Sequence, residues 1–167
     1  MRNSYWKRPL PMLTMGCLLV VFGWASLAQS DMMGKRNIIQ ERRQLMQNSA
    51  GSFKDARLKA KDGQFDRIAV NAQTIAINAR HIPFLYPEGS MGTAAIETRA
   101  KLEIWEDWEG FTAASEQLRE AAQKLRNLTQ NVEEKPVTEA QVTEALKAIG
   151  GACKNCHDKF RVPKEKD

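Results

Sequence analysis

The sequence has few of the residues that build β-sheets. Clusters of Val, Ile, Thr and Tyr are scarce, and aromatic residues make up only 7% of the chain. Ala, Leu, Glu, Gln, Lys and Arg fill most of it instead, and these residues favour helices. Because 167 residues with 43% hydrophobic and 27% charged content suffice for one folded domain, we expect an all-α domain with a moderate core.

Cysteine is also scarce. Of the three cysteines, Cys17 lies in an apolar N-terminal run, so only Cys153 and Cys156 remain for the folded domain. A pair this close in sequence closes a tiny loop and would add little stability as a disulfide. Basic residues do not alternate with aromatic ones in any run, so we expect no nucleic-acid partner.

Acidic residues are missing from the first 30 positions, which indicates a leader. Three basic residues precede the apolar run "PLPMLTMGCLLVVFGWASLA", where Ser26 and Ala28 are small enough for signal peptidase. We expect residues 1–28 to be a signal peptide, and residues 29–167 to be a periplasmic domain without a stable membrane anchor. One alternative is an uncleaved membrane anchor, although the apolar run is near the lower length limit for spanning a bilayer. The other is a lipoprotein modified at Cys17, although Cys17 precedes most of the apolar run.

Amphipathic segments with apolar residues at three- and four-residue steps fill the rest of the chain. A capping-box pattern at Thr138 and Gln141 precedes the last segment, and Trp108 begins a stripe in the third that we expect to face the core. Short connections between four such helices predict an antiparallel four-helix bundle. The expected segments are residues 34–61, 65–79, 98–131 and 138 onward, with a longer Pro/Gly loop after the second.

The stretch "GACKNCHDKF", residues 151–160, carries the chemistry. On a helix, Cys153, Cys156 and His157 project to one side, which is the apolar face of the last segment. A planar apolar group packed there would take two thioether bonds from the sulfurs and a metal bond from the imidazole. The C-x-x-C-H pattern is the attachment signature of c-type haem.

Two other chemistries remain open for this cluster, a redox dithiol and a structural zinc site. A reactive dithiol requires a cysteine near a helix N-terminus, whereas this pair lies several turns inside the last helix. Structural zinc needs four ligands, and only three cluster here. No acid–base constellation stands near the cluster, so we expect no enzymatic turnover.

The chain resembles the class II c-type cytochromes, which include the cytochromes c-prime and their low-spin relatives. The resemblance rests on "GACKNCHDKFR", on "ERRQLMQNSAGSF", and on "FLYPEGS" followed by "ETRAKLEIWEDWEGF", and it covers residues 34–163. The usual family form has a proline where Leu102 stands. The resemblance implies one covalent haem c, bound through Cys153 and Cys156, with His157 as the proximal iron ligand.

The resemblance also implies the remaining site residues. Met46 falls at the family's distal position, where its thioether would complete a low-spin His/Met haem for one-electron transfer with periplasmic redox partner proteins. In the alternative, Met46 only packs at the distal face, and a five-coordinate high-spin haem binds nitric oxide or carbon monoxide.

Two arginines have two interpretations each. Arg42 is expected beside a haem propionate, or as a solvated surface residue. Arg161 is expected beside His157 on the last helix, where it shields the proximal face of the haem or supplies favourable helix C-terminal charge. Family members also include dimers, so a homodimer is among the expected partners.

Overall fold

Four long helices organise the chain. The computed structural model describes the backbone of residues 18–163, except residue 95, and the side chains of residues 33–163 with the same exception. The chain divides after Gly34, and apart from the start of the first helix every feature below belongs to the unit that begins at Lys35. The expected signal peptide lies mostly outside the described residues.

Helix α1 spans Leu18–Lys61 and begins earlier than the predicted start at residue 34. No proline occurs between residues 12 and 82, so no local residue breaks the helix sooner. The helix ends before Gly63, whose φ of +69° is a left-handed conformation that glycine adopts without strain. The break predicted at this glycine is therefore confirmed.

Helix α2 spans Ala69–His81 and follows a 3-10 turn, Phe65–Arg67. The predicted segment began at residue 65, but its first residues form the tighter turn, in which Ile68 donates to the carbonyl of Phe65 at 3.2 Å. Asn78 of α2 donates to Asn48 Oδ1 of α1 at 2.7 Å, so the two helices lie side by side.

The third predicted segment is divided into α3, Glu103–Glu106, and α4, Trp108–Thr129. Asp107 separates them, and its carboxylate accepts a hydrogen bond from the N–H of Gly110 at 3.0 Å as the N-cap of α4. The stripe of α4 is buried from Phe111 onward, whereas Trp108 is 42% exposed. The prediction that Trp108 faces the core was wrong, because the new helix begins at this residue and leaves its ring at the exposed end.

Helix α5 spans Glu139–Phe160 and begins with the predicted capping box. Helix α4 packs against both α2 and α5. The hydroxyl of Ser115 donates to the carbonyl of Ala79 at 2.6 Å, and this buried bond joins α4 to α2. On the other side, the rings of Phe111 and Phe160 meet edge-on with their centroids 5.3 Å apart, which joins α4 to α5.

The predicted four-helix bundle is confirmed, with α1, α2, α4 and α5 as its members. The part of the chain that the structure describes contains no strand, only two isolated bridges, Thr93 with Ile96 and Ala100 with Arg161. None of the described helices has the length and apolar character that crossing a bilayer requires.

Candidate functional site

A cavity of about 960 Å³ opens at one end of the bundle. Its walls come mainly from the middle of α1, the loop after α2 and the end of α5, with single residues from α3 and the first turn of α4. Its volume falls within the range of ligand pockets, roughly 300–1,000 Å³. Residues that line it include Arg42, Arg43, Met46, Tyr86, Met91, Arg99, Phe111, Cys156, His157, Phe160 and Arg161.

The C-x-x-C-H cluster lies on the last two turns of α5, beside this cavity. Cys156 and His157 line it, and Cys153 packs against the hydrophobic core one turn earlier. Both sulfurs are free thiols and partly exposed. The structure therefore places the Cys156 thiol and the His157 imidazole at the cavity, and Cys153 one helical turn away.

The environment fixes the protonation of these three groups. Burial, reinforced by the charges of Arg161 and Arg99, lowers the pKa of His157, so its imidazole is neutral near pH 7, the form that binds a metal. Burial, with the charge of Cys153 adding to it, raises the pKa of Cys156 to about 11. Burial also raises the pKa of Cys153. Both sulfurs are protonated at neutral pH, which disfavours the redox dithiol because the thiolate is the reactive form.

Met46 lies on α1 and lines the same cavity as His157 on α5, although 111 residues separate them in the sequence. Its side chain is half-buried and packs against the core cluster. The structure thus brings the predicted distal residue and the predicted proximal residue into one space. Met91 lines this space too, from the loop after α2.

Arg42 is only 4% exposed, so the interpretation as a solvated surface residue was wrong. One terminal nitrogen of its guanidinium donates to the carbonyl of Ser90 at 2.9 Å, the other donates to the Ser90 hydroxyl, and Nε donates to the carbonyl of Leu85. Its charged group also lies 4.0 Å from the centroid of the Tyr86 ring. Burial lowers the pKa of Arg42, which still leaves an arginine protonated at neutral pH.

Arg161 lines the cavity but does not lie on α5, because the helix ends at Phe160. Its backbone is extended and forms a bridge with Ala100, while the N–H of Lys101 donates to the carbonyl of Phe160 at 3.1 Å. Because of these pairings, α5 ends at Phe160 and does not include Arg161. The predicted position beside His157 on the helix was wrong, although both residues line one cavity.

Two cavity arginines were missed by the sequence analysis. Arg43 adjoins Arg42 on α1, and Arg99 lies in the stretch "ETRAK", residues 97–101. The guanidinium of Arg99 donates to the carbonyl of Val162 through Nε at 2.9 Å and a terminal nitrogen at 2.7 Å. The positive charge of Arg99 acts on both Arg161 and His157, because it helps to lower the pKa of each. The sequence signal that could have indicated them is their position within two of the motifs that carry the family resemblance.

Aromatic rings form the apolar wall of the cavity. The rings of Tyr86 and Phe111 lie 4.9 Å apart, and the ring of Phe160 continues the row beyond Phe111. The indole of Trp105 donates to the carbonyl of Tyr86 at 3.1 Å behind this wall. The chain therefore offers a planar apolar group an aromatic wall, two thiols, a neutral imidazole and nearby cations for carboxylates. These features fit haem c.

A four-helix bundle with a C-x-x-C-H cluster facing an apolar cavity defines the class of helical c-type haem proteins. The chain belongs to the Cytochrome C' family, whose family model matches residues 37–161. Members of this family bind one covalent haem c, and the predicted cofactor and resemblance are confirmed at that level.

Known relatives agree with this assignment. The chain is 34% identical to cytochrome c' of Rhodospirillum rubrum over 97 residues, which are 58% of this chain and 61% of the relative, less than two thirds of its length. It is 32% identical to cytochrome c-556 of Agrobacterium fabrum over 131 residues, 75% of this chain and 82% of that protein. The crystal structure of cytochrome c' from Rubrivivax gelatinosus is similar, with a TM-score of 0.63 and 26% identity, over 77% of this chain and 97% of that one.

Proposed function

We propose that this protein is a periplasmic cytochrome c' that binds nitric oxide or carbon monoxide at a five-coordinate, high-spin haem. The observation that carries the proposal is that a member of the Cytochrome C' family places His157 of its C-x-x-C-H cluster in a cavity of about 960 Å³. When bound, haem would supply an iron that can take a diatomic gas as a ligand or change its oxidation state by one electron.

Each residue of the cluster has a distinct role in this proposal. Cys153 and Cys156 would hold the haem through two thioether bonds, and His157 would supply the proximal nitrogen. Met46 closes the distal side as an apolar side chain that limits the size of an entering ligand. The aromatic wall excludes water, and Arg43, Arg99 and Arg161 supply positive charge for the carboxylates of the haem.

The fold of this chain is also that of a gas-bound protein. A mutant of cytochrome c prime from Alcaligenes xylosoxidans was solved as a nitric oxide complex, and it is similar with a TM-score of 0.65. At 20% identity this likeness concerns the fold alone. The gas ligand is therefore proposed here from family membership.

One-electron transfer is the second candidate, and it is the function that the sequence predicted. In this case the Met46 sulfur binds the iron, and periplasmic redox partner proteins supply and accept the electron. The half-buried position of Met46 in the cavity and the match to a cytochrome c-556 over 75% of this chain favour it. Membership of a family named for cytochrome c' favours gas binding instead.

The absorption spectrum of the purified protein separates these candidates. For gas binding we expect a broad high-spin spectrum that shifts when carbon monoxide is added to the reduced protein, and Met46→Ala should leave the spin state high. Sharp, split bands in the reduced state that become high-spin in Met46→Ala would establish Met46 as a ligand and overturn the five-coordinate proposal. Met33→Ala is the matched control, because Met33 is an exposed methionine of the same helix.

Export and haem attachment are tested by one mass measurement. We propose cleavage after about Ala28, so protein from the periplasm of a host that matures c-type cytochromes should have the mass of residues 29–167 plus one haem. A mass equal to the bare peptide, with one bound zinc or with none, would contradict the haem site and favour the zinc or dithiol alternative. A mass that includes residues 1–28 would contradict the leader.

We also propose that two copies of the chain associate through α2. Val70 and Ile77 are 64% and 46% exposed and lie seven residues apart, on one face of the helix. A solved cytochrome c' that is similar with a TM-score of 0.68 and 20% identity is described as having a ligand-controlled dimer dissociation. The apolar face of α2 is the surface by which a second copy of this chain would bind.

A further inference from the structure

The buried arginine of α1 holds the loop that walls the cavity. We call residues 85–94 the strap. The guanidinium of Arg42 contacts it at both ends of one turn, through the carbonyl of Leu85 and through the carbonyl and hydroxyl of Ser90. Three of the five N–H groups of this side chain are therefore used by a segment more than 40 residues away in the sequence.

The same side chain also supports an aromatic wall residue of the cavity. The guanidinium of Arg42 lies 4.0 Å from the ring centroid of Tyr86 and 5.8 Å from that of Trp105. The Tyr86 ring lies in the cavity wall, and its carbonyl accepts a hydrogen bond from the Trp105 indole. Displacement of Arg42 would therefore loosen the ring as well as the backbone of the strap.

Beyond Ser90 the strap forms the cavity wall itself. Met91, Gly92 and Thr93 line the cavity, and Thr93 exchanges two backbone hydrogen bonds with Ile96, each of 3.0 Å. A Cβ atom at Gly92 would lie 2.5 Å from the carbonyl oxygen of Ile96, so the turn is closely packed. The Arg42 contacts fix one end of this wall, and the turn at Gly92 fixes the other.

We propose that Arg42 is a positioning residue that clamps the strap in place, and that this clamp sets how fast a ligand enters the haem cavity. The inference rests on the proposed haem site and adds a role that does not require contact with a propionate. A forked, planar guanidinium reaches the Leu85 and Ser90 acceptors together, whereas a lysine ammonium is a point donor. The charge of residue 42 is therefore not sufficient, and its fork geometry is required.

Hydrogen exchange tests the clamp directly in the whole protein. In both Arg42→Lys and Arg42→Gln, amides of residues 85–94 should exchange at least about tenfold faster than in wild type, because loss of one charged hydrogen bond shifts an opening equilibrium by that much. Ser90→Ala removes one acceptor of Arg42 and also the hydrogen bond that the Ser90 hydroxyl donates to the carbonyl of Pro87, so it should speed exchange of the strap too. Lys54→Gln, an exposed charge change on the same helix, should leave the strap unchanged.

The rate of ligand entry and a redox titration distinguish two roles of Arg42, a clamp on the strap and an ion-pair partner of a haem propionate. This experiment uses Met46→Ala as the background protein, so that no Met46 sulfur competes with carbon monoxide for the iron. Both Arg42 variants in this background should bind carbon monoxide at least about tenfold faster than the background protein. The pH profile of their reduction potential should match that of the background protein. A propionate partner predicts the reverse: lysine restores wild-type behaviour, and Arg42→Gln moves the profile.

Two results would overturn the clamp. One is unchanged exchange of the strap in Arg42→Gln and Ser90→Ala, and the other is full rescue of exchange and ligand entry by Arg42→Lys. Absence of covalent haem in the wild-type protein would instead overturn the proposed function. Exchange of the strap can still be measured in that case, so the two failures are distinguishable.

Discussion

At the scale of single residues, the site combines some side chains that are neighbours in the sequence with others that are far apart in it. Cys153, Cys156 and His157 lie within four residues of one another on α5, so their spacing alone predicts that they act together. The burial of Arg42 was not predictable, because its acceptors, the carbonyl of Leu85 and the carbonyl and hydroxyl of Ser90, lie 43 and 48 residues later. Backbone carbonyls carry no residue signature, so the main-chain partners of Arg42 and Arg99 were invisible in the sequence.

A single substitution tests the one departure from the family pattern. Leu102 has a φ of −61° and its side chain is 47% exposed, so proline fits the backbone without losing a buried side chain. The N–H of Leu102 makes no backbone hydrogen bond with residues 18–163, residue 95 aside. Leu102→Pro should therefore raise the free energy of unfolding by about 0.4–1 kcal/mol, because it restricts the unfolded chain. Urea unfolding monitored by circular dichroism measures this change.

The adjacent residue provides the control for this prediction. The N–H of Lys101 donates to the carbonyl of Phe160 at 3.1 Å, so Lys101→Pro removes a bond that ties the loop to the end of α5. Lys101→Pro should destabilise the protein. If Leu102→Pro lowered the urea midpoint as much as Lys101→Pro does, the conformational argument would be contradicted.

At the scale of the helices, the periodicity of apolar residues predicted the existence of the helices better than it predicted the residues at which they begin. The bundle helices follow the three- and four-residue spacing of apolar residues, which short-range sequence carries directly. The break at Asp107 was missed, because Asp107 caps α4 through its side chain while the apolar spacing continues across it. The start of α1 at Leu18 was missed because amphipathic spacing does not mark where an apolar run becomes helical.

The capping box of α5 gives a prediction for this scale. The N–H of Gln141 donates to the Thr138 hydroxyl at 3.3 Å, and the N–H of Thr138 donates to Gln141 Oε1 at 2.9 Å. Thr138→Ala should lower the free energy of unfolding by about 1 kcal/mol, because it leaves an N–H of the first turn without its acceptor. The change is measured by urea unfolding at neutral pH.

A second threonine on the same helix serves as the reference. Thr143 is exposed within α5, and alanine has the higher helix propensity, so Thr143→Ala should leave stability unchanged or raise it slightly. Equal losses in both variants would mean that the hydroxyl of Thr138 does not act as a cap.

At the scale of the whole molecule, function depends on a space that no segment encloses alone. Met46 from α1, the wall from the loop after α2, and His157 from α5 meet only when the bundle has formed. Periodicity predicted a bundle, but the volume of the cavity and the set of cations around it depend on long-range packing. The prediction that Met46 faces His157 came from family resemblance, since helical spacing alone suits a packing methionine equally well.

The outer face of α2 provides the prediction for the assembled molecule. If Val70 and Ile77 form the contact between two copies, a carboxylate buried at that contact without a partner is strongly unfavourable. We expect wild-type holoprotein to sediment as a dimer and Ile77→Glu to sediment as a monomer at the same concentration, with an unchanged Soret band. Ala148→Glu places the same charge at an exposed position of α5 and should remain dimeric. A wild-type monomer would contradict the proposed dimer. An Ile77→Glu dimer as stable as wild type would exclude this face as the contact, because a charge at the contact would then not weaken the dimer.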